Sequence, residues 1–399
     1  MEGLISPKNP DPLVWLTSDA ALPYLDVASR ELKADSLVRL TAKLRKTLSA
    51  EQVHLVLEQV DLRRRAAEKF SAAEQMFFTP KSLMQASDET IAACKAARFS
   101  KGGSFADLCC GIGGDLLALA GKGTCVGVDL DAGLVHLAQR NCEVTGRAGG
   151  RAIVAGAATF PVHEYSAWHI DPDRRPSGKR TTQVEHYQPP LEVLEALLMK
   201  NPQAAIKLAP AAQVPANWEQ SAEREWLESR GECRQQVAWF GSLARHPGEK
   251  AATIVDAIDG PRTVQGRGEG SVPVADKISR YVYEPAAVVL AAKLTHVLCG
   301  EHHLKAVTSQ AMYLTGDAMI QDAALAGFEV LEVLPHDERQ LKAWLRQRGI
   351  GRLEVKKRGC DVETEKLRKK LGGQGDESAT LLICPVGGKV QAIVARRVG

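Results

Sequence analysis

Apolar positions along this chain change period twice, and each change marks a different kind of structure. From residue 13 to about 77 they recur at helical spacing with few breakers. Leu37, Leu40, Leu44 and Leu48 share one face and Val53, Leu57 and Val60 another, which predicts an α-helical N-terminal region. From residue 79 the pattern alternates. Short apolar runs predict strands near 104–108, 124–129, 152–155, 166–171, 204–209, 234–240 and 252–257, and amphipathic stretches predict helices near 82–98, 113–121, 132–145, 189–200 and 217–230. Strand and helix in this order imply an α/β fold with a doubly wound sheet. The glycine-rich link Gly266-Arg267-Gly268-Glu269-Gly270 follows. Beyond it, Tyr281 to Leu298 reads as a helix, and Ala379 to Pro385, Gly387-Gly388 and Val390 to Val398 read as a β-hairpin closing a small α+β domain. The division expected is 1–78 helical, 79–270 doubly wound and 271–399 α+β, with no repeat at solenoid periods.

Composition narrows the classes. A chain of 399 residues, 45% hydrophobic and 25% charged, has room for two or three domains with cores of their own. A formal net charge of +3 gives no general attraction for a polyanion, so a nucleic-acid footprint must be local. One such place exists: between Asp337 and Lys370, twelve Lys or Arg residues stand against six acids. The run Arg63-Arg64-Arg65 could touch phosphate or form a solvated helix face, the commoner meaning of such a run. Met1 to Pro12 carries prolines and charges where a signal peptide has an apolar core, and apolar stretches such as Ala286 to Ala292 are too short to cross a bilayer. A cytoplasmic location without a membrane partner is expected. Nine cysteines include no Cys-x-x-Cys pair, and no His cluster has zinc spacing, so reduced, mostly buried thiols and no metal are expected.

The chemistry concentrates in Asp107-Leu108-Cys109-Cys110-Gly111-Ile112-Gly113-Gly114-Asp115, followed by Gly127-Val128-Asp129. A strand, a glycine turn and a helix are read here. Gly111 and Gly113 let backbone approach a ligand, and Gly114 permits close packing where the helix starts. Asp129, at the end of the second strand, is placed to accept hydrogen bonds from a ribose diol. The glycine order is not the one that holds a pyrophosphate on a helix N-terminus. Asp107 before it and Asp115 after it suit a ligand carrying an ammonium and a sulfonium. S-adenosylmethionine fits that description. Cys109 and Cys110 lie in the turn, as small polarizable packing or as a redox pair.

A second constellation, Trp168-His169-Ile170-Asp171-Pro172-Asp173-Arg174-Arg175, ends the fourth predicted strand, where ligands of open α/β sheets sit. Asp171 and Pro172 then face the reacting group. Enzymes that methylate exocyclic amines carry an acid or amide, two prolines and an aromatic at this point. Here Arg174 and Arg175 could stack on a base, clamp a phosphate or carboxylate, or pair with Asp171, Asp173 or Asp115 to hold the loop. Trp168 or Tyr187 could supply the stacking. Thr79-Pro80, after Met76-Phe77-Phe78, fits a helix N-cap and also resembles a segment that covers the cofactor's methionine end in amine-methylating enzymes. Lys207, ending the fifth strand, points into the cleft or snorkels along the sheet edge.

Taken together, Phe78-Thr79-Pro80, Asp107-x-Cys-x-Gly-Ile-Gly-Gly-Asp115, Asp171-Pro172-x-Arg174-Arg175, Lys207-Leu208-Ala209-Pro210, Tyr283-Glu284-Pro285 and Lys356-Lys357-Arg358-Gly359 resemble a bacterial family of class I S-adenosylmethionine-dependent methyltransferases ending in a THUMP-like domain. The resemblance covers about 70–399. It implies a Rossmann-like methyltransferase domain that binds S-adenosylmethionine through Thr79, Pro80, Asp107, Cys109, Gly111, Gly113, Asp115, Asp129 and Asp171, with Asp171, Pro172 and Arg174 at the acceptor. It also implies a C-terminal domain named after RNA-binding ones, hence RNA as the partner, with Arg175, Lys356, Lys357 and Arg358 as contacts to nucleic acid. A non-catalytic RNA-binding protein and a methyltransferase of a small molecule or protein are the alternatives.

Overall fold

The computed structural model describes residues 11–32, 37–174, 181–256, 258–268, 270–309, 312–373 and 375–398. The chain forms two compact units, one running through Trp218 with Val237–Arg245 added, the other comprising Glu219–Gln236 and the chain from His246 onward.

The first unit begins with helices α1 (Pro12–Leu16), α2 (Leu22–Glu31), α3 (Leu37–Leu44) and α4 (Ala50–Ala66). Ser49 and Gln52 form a reciprocal capping box that starts α4, and Val53, Val56, Val60 and Leu62 form its buried stripe. The helix expected over 82–98 is two, α5 (Pro80–Gln85) and α6 (Glu89–Ala96). The break falls at Ser87-Asp88, because the Asp88 carboxylate accepts the Ile91 N–H and caps a new helix.

The sheet of this unit comprises β1 (Ser104–Leu108), β2 (Thr124–Asp129), β3 (Gly150–Val154), β4 (Ala167–Ile170) and β5 (Ala204–Leu208), with helices α7 (Gly114–Ala120), α8 (Ala132–Val144) and α9 (Leu191–Lys200) between strands. These strands run parallel in the order β3-β2-β1-β4-β5. The order reverses between β1 and β4, and such a switch point is where ligands of open α/β sheets bind. Register brings the ends level: Asp107 stands opposite Gly127 on one side and His169 on the other.

Helix α10 (Ala216–Ser221) is followed by β6 (Glu223–Ser229) and β7 (Glu232–Trp239). The helix expected over 217–230 is therefore corrected: only its first turn or so is helical. Its charged residues mimic a solvated helix face, but as strand residues they are buried and partnered. Glu225 accepts from the Thr253 hydroxyl at 2.6 Å and Glu223 from the His246 N–H at 2.9 Å. The Val237–Trp239 end of β7 belongs to the first unit and Glu232–Gln236 to the second.

In the second unit β8 (Lys250–Ile254) lies between β6 and β9 (Arg262–Gly266). A second sheet contains β10 (Tyr281–Pro285), β11 (Lys305–Ala306), β12 (Leu314–Gly316), β13 (Leu325–Pro335), β14 (Ile350–Lys357), β15 (Glu377–Val386) and β16 (Lys389–Val398), in the order β11-β12-β10-β13-β16-β15-β14. The helix expected from Tyr281 starts six residues late. Tyr281-Val282-Tyr283 carries the aromatic and β-branched side chains that suit a pleated, buried surface, and β10 pairs antiparallel with β12 and β13. Helices α11 (Ala287–Ala292) and α12 (Thr295–His302) follow. Helices α13 (Glu338–Gln347) and α14 (Thr364–Leu371) bury Leu341, Leu345, Leu367 and Leu371 against Leu381, Ile383, Ala392 and Val394 of the terminal hairpin. That hairpin is the expected one, turning at Gly387 and Gly388, both at positive φ. No described helix is long and apolar enough to cross a membrane.

Candidate functional site

The turn after β1 is built from left-handed residues. Cys109 has φ 56°, Gly111 55° and Gly113 91°. A Cβ on Gly111 would meet nothing within 4 Å, so the backbone there borders open space. Asp129 fastens this turn to β2: one carboxylate oxygen accepts the Gly111 N–H at 3.0 Å and the other the Asp131 N–H at 3.1 Å. Gly111 and Asp129, read from the sequence only as separate neighbours of a ligand, are thus in direct contact. Burial, and then the negative charges of Asp129, Asp171, Asp107 and Asp173, push the Cys109 thiol well above its ordinary value. Cys110 is pushed up likewise, chiefly by burial. Both therefore stay protonated thiols, which disfavours redox chemistry. The same carboxylates make the turn electronegative.

Behind the turn lies a buried polar network. Asp107 Oδ1 is 2.7 Å from His169 Nδ1. The other ring nitrogen is 3.2 Å from Lys95 Nζ, which lies 2.7 Å from Asp115 Oδ1. Asp115 Oδ2 accepts from the Ser87 hydroxyl at 2.9 Å. Lys207 Nζ donates to that hydroxyl at 3.2 Å and to Asp171 Oδ2 at 2.5 Å. The two acids flanking the glycines are set differently. Burial pushes the Asp107 carboxyl above its ordinary value, against the pull of the His169 hydrogen bond and charge. Burial also works against Asp115, but the Lys95 ammonium, His169 and Lys207 outweigh it and hold its carboxyl well below the usual range. Asp107 Oδ2 is buried with no partner among the described residues, and an unsatisfied buried acceptor is costly unless a ligand donates to it.

The acceptor loop lies beside this network. The Asp171 N–H donates to Leu108 O at 3.2 Å, seating the loop on the end of β1, and Asp173 exchanges backbone hydrogen bonds with Gln188. Pro172 is buried and Arg174 half-buried; Arg175 lies outside the described residues. Thr79 caps α5 in a box with Ser82, and Pro80 is its first residue, so the N-cap reading of that pair is realised. Lys207 points at Asp171 and does not snorkel. Neither proposed stacking ring is available: Trp168 is fully buried with its Nε1–H on Asn201 O, and the buried Tyr187 accepts the Ala209 N–H. Arg63 is not a solvated cation. It donates to Met76 O at 2.9 Å and lies over Phe77, and burial lowers it to about 10.

In the second unit, Glu284 of the Tyr-Glu-Pro motif receives Lys356 at 2.6 Å and Arg358 at 3.0 Å, while Lys357 stands 3.8 Å from Asp361. The two C-terminal motifs are therefore one ion-pair cluster. Glu301, His302 and Asp322 also converge, around the Arg262 guanidinium, which donates to both acids.

Sequence reasoning missed Lys95, His169, Ser87 and Asn141. The first two stand in apolar runs, Ile91 to Ala96 and Ala167 to Ile170, where an ionisable residue implies a partner. Asn141, fully buried on α8, accepts the Phe77 N–H and donates to Phe77 O and Ile112 O, tying the segment before Thr79 to the glycine turn. Nothing in its surroundings singled it out.

Comparison with known proteins bears on the fold and the family. Residues 325–397 match the family model "THUMP domain-like". The chain is 28% identical over 341 residues, 83% of its own length and 92% of the relative's, to a Mycobacterium tuberculosis protein named "Uncharacterized S-adenosylmethionine-dependent methyltransferase", curated in strains CDC 1551 / Oshkosh and ATCC 25618 / H37Rv. A crystal structure from Porphyromonas gingivalis W83, a "putative methyltransferase", superposes with a TM-score of 0.78 at 17% identity, over 98% of this chain and 100% of that one. The protein thus has the Rossmann-like methyltransferase fold and a THUMP-like domain at its C-terminus. It is a homologue of S-adenosylmethionine-dependent methyltransferases.

Proposed function

We propose that the protein is a cytoplasmic enzyme that transfers the methyl group of S-adenosylmethionine to a base of RNA. The observation that carries this reading is the pair of arrangements side by side at the ends of β1, β2, β4 and β5: the Gly111–Asp129 contact that holds the glycine turn, and the chain of contacts that joins Asp107 to Asp171 through His169, Lys95, Asp115, Ser87 and Lys207.

The residues fit the cofactor. The orphaned Asp107 Oδ2 and the carboxylates around Cys109 suit an ammonium and a sulfonium. Asp129, its oxygens held by two backbone N–H groups, retains lone pairs for a ribose diol. Gly111 leaves the space a Cβ would fill. Thr79, Pro80, Cys109, Gly113 and Asp115 shape the walls, Asp115 by holding Lys95 and Ser87. The bound cofactor supplies an electrophilic methyl group.

Asp171 is the acceptor-side residue. Lys207 fixes one of its oxygens, leaving the other without a partner among the described residues and able to accept an N–H of an amine on the target. Buried Pro172 holds that carboxylate in place. Arg174, with Arg175, contributes a cationic plane for a base or phosphate. In-line attack needs alignment more than a strong base, which this fixed geometry provides. The THUMP-like domain supports RNA as the substrate class.

The test is transfer of tritiated methyl groups to total cellular RNA from a strain lacking the enzyme. Asp171→Ala should lower the rate at least a hundredfold while leaving cofactor affinity within threefold. Label appearing in protein or in small molecules instead of RNA would overturn the substrate class, and full activity in Asp171→Ala would overturn the acceptor assignment.

A further inference from the structure

The cationic segment from Asp337 to Lys370 is not uniformly charged once its partners are known. Lys356 and Arg358 share Glu284. On α14, Lys366 pairs with Glu363, Arg368 with Glu365, and Lys370 with Glu338 of α13, at 2.7, 2.9 and 2.8 Å. The charge of that helix is thus largely compensated. Arg339, Lys342 and Arg346 of α13 differ. All three are exposed, and none makes an ion pair among the described residues. Spaced by three and seven residues, they fall within an arc of roughly 60° and span about 10 Å along the axis. Leu341 and Leu345 occupy the buried face. The nearest acids in sequence are already engaged: Asp337 caps the helix through the Gln340 N–H, and Glu338 holds Lys370.

A cavity lies at the C-terminal end of the same helix. It has a volume of about 480 Å³ and is lined by Trp344, Arg348, Ile350, Glu377, Ser378 and Arg396, among others, with Arg396 standing 3.9 Å from the Glu377 carboxylate. The Arg348 guanidinium stacks 3.9 Å from the centre of the Trp344 ring. The Trp344 indole N–H is buried without a hydrogen-bond partner among the described residues, a donor that an incoming acceptor would satisfy. A stripe of uncompensated cations running toward a cavity where the Arg348 guanidinium lies over the Trp344 ring matches a polyanion whose charges sit at short, regular spacing and whose bases offer π-faces.

We propose that RNA is bound on this surface, with phosphates on Arg339, Lys342 and Arg346 and a nucleotide at the Trp344–Arg348 cavity, in place of the Lys356–Arg358 segment, whose charges Glu284, Glu354 and Asp361 offset. The inference rests on the RNA reading of the function.

The experiment measures binding of a fluorescein-labelled RNA hairpin of mixed sequence to the full chain by anisotropy, from 50 to 300 mM salt. Reversal of Arg339, Lys342 and Arg346 to Glu is expected to weaken binding at least tenfold, and their change to Gln to lower the slope of log K against log salt by about 2 to 3. The matched reversal of Lys366, Arg368 and Lys370 should change affinity by less than threefold. Wild-type affinity in both α13 variants, or an equal loss in the α14 variant, would overturn the surface while leaving RNA binding intact. No RNA binding by the wild type would overturn the RNA reading itself, and binding to phosphatidylserine vesicles in its place would reassign the stripe to a membrane.

Discussion

Lys95 and Asp115 in the first unit sit 2.7 Å apart with side chains 2% and 9% exposed, whereas Lys366 and Glu363 in the second sit at the same distance with 73% and 67% exposed. Geometry alone does not distinguish them; their surroundings do. In the first unit both charges have been taken out of water, and each depends on the other to offset that cost. On α14 water screens each charge, and the pairs add little. The lesson concerns function as well as stability. The buried network sets the orientation of Asp107 and Asp171 and so belongs to the site's architecture, while the exposed pairs decide which cations remain available to a polyanion.

The largest expected effect breaks the buried side. Lys95→Met leaves Asp115 ionised without its partner and should cost about 3–5 kcal/mol, read from the shift in urea midpoint. Replacing both residues, Lys95→Met with Asp115→Leu, should recover most of that loss; a single-variant cost below about 1 kcal/mol would mean that water reaches the pair.

An intermediate case sharpens the contrast. Asp322 is held down to about 2 because the hydrogen bonds of Arg262, the Ala324 N–H and His302 outweigh the effect of burial. A carboxyl with a depressed folded-state value stabilises the fold above its ordinary value near 3.8 and loses that contribution as pH falls toward 2. Asp322→Asn should therefore cost about 1–2 kcal/mol near neutral pH, with the difference from wild type vanishing by about pH 2. A difference independent of pH would assign the loss to packing. The smallest effect is expected for Lys366→Ala, below about 0.5 kcal/mol by the same urea titration; a cost above 1 kcal/mol would erase the distinction between the two regions.

Much of the first unit was legible in the sequence, because parallel strands buried on both faces give short apolar runs and the glycine turn has few other uses. The limits are just as physical. The stretch after Ser221 has the charge spacing of a helix, and only the partners Thr253 and His246, 23 and more residues away, explain why its glutamates are buried in a strand. Tyr281 to Pro285 is too short for its period to separate strand from helix. At the site, Asp107, Gly111, Asp129 and Asp171 follow from spacing, but the partners that fix them, His169, Lys95, Ser87 and Lys207, come from four other elements or loops. Composition registers Lys356 and Arg358 only as positive charge; Glu284, more than 70 positions earlier, is the acid that pairs with both.

The most direct test of the site is calorimetric titration of the full chain with S-adenosylhomocysteine, beside Asp129→Ala and the fold control Lys366→Ala. Micromolar binding by the wild type and by Lys366→Ala, weakened at least tenfold in Asp129→Ala with an unchanged urea midpoint, is the result expected if Asp129 and the glycine turn hold the cofactor. A folded wild type that takes up no ligand, or Asp129→Ala binding as tightly as wild type, would contradict it.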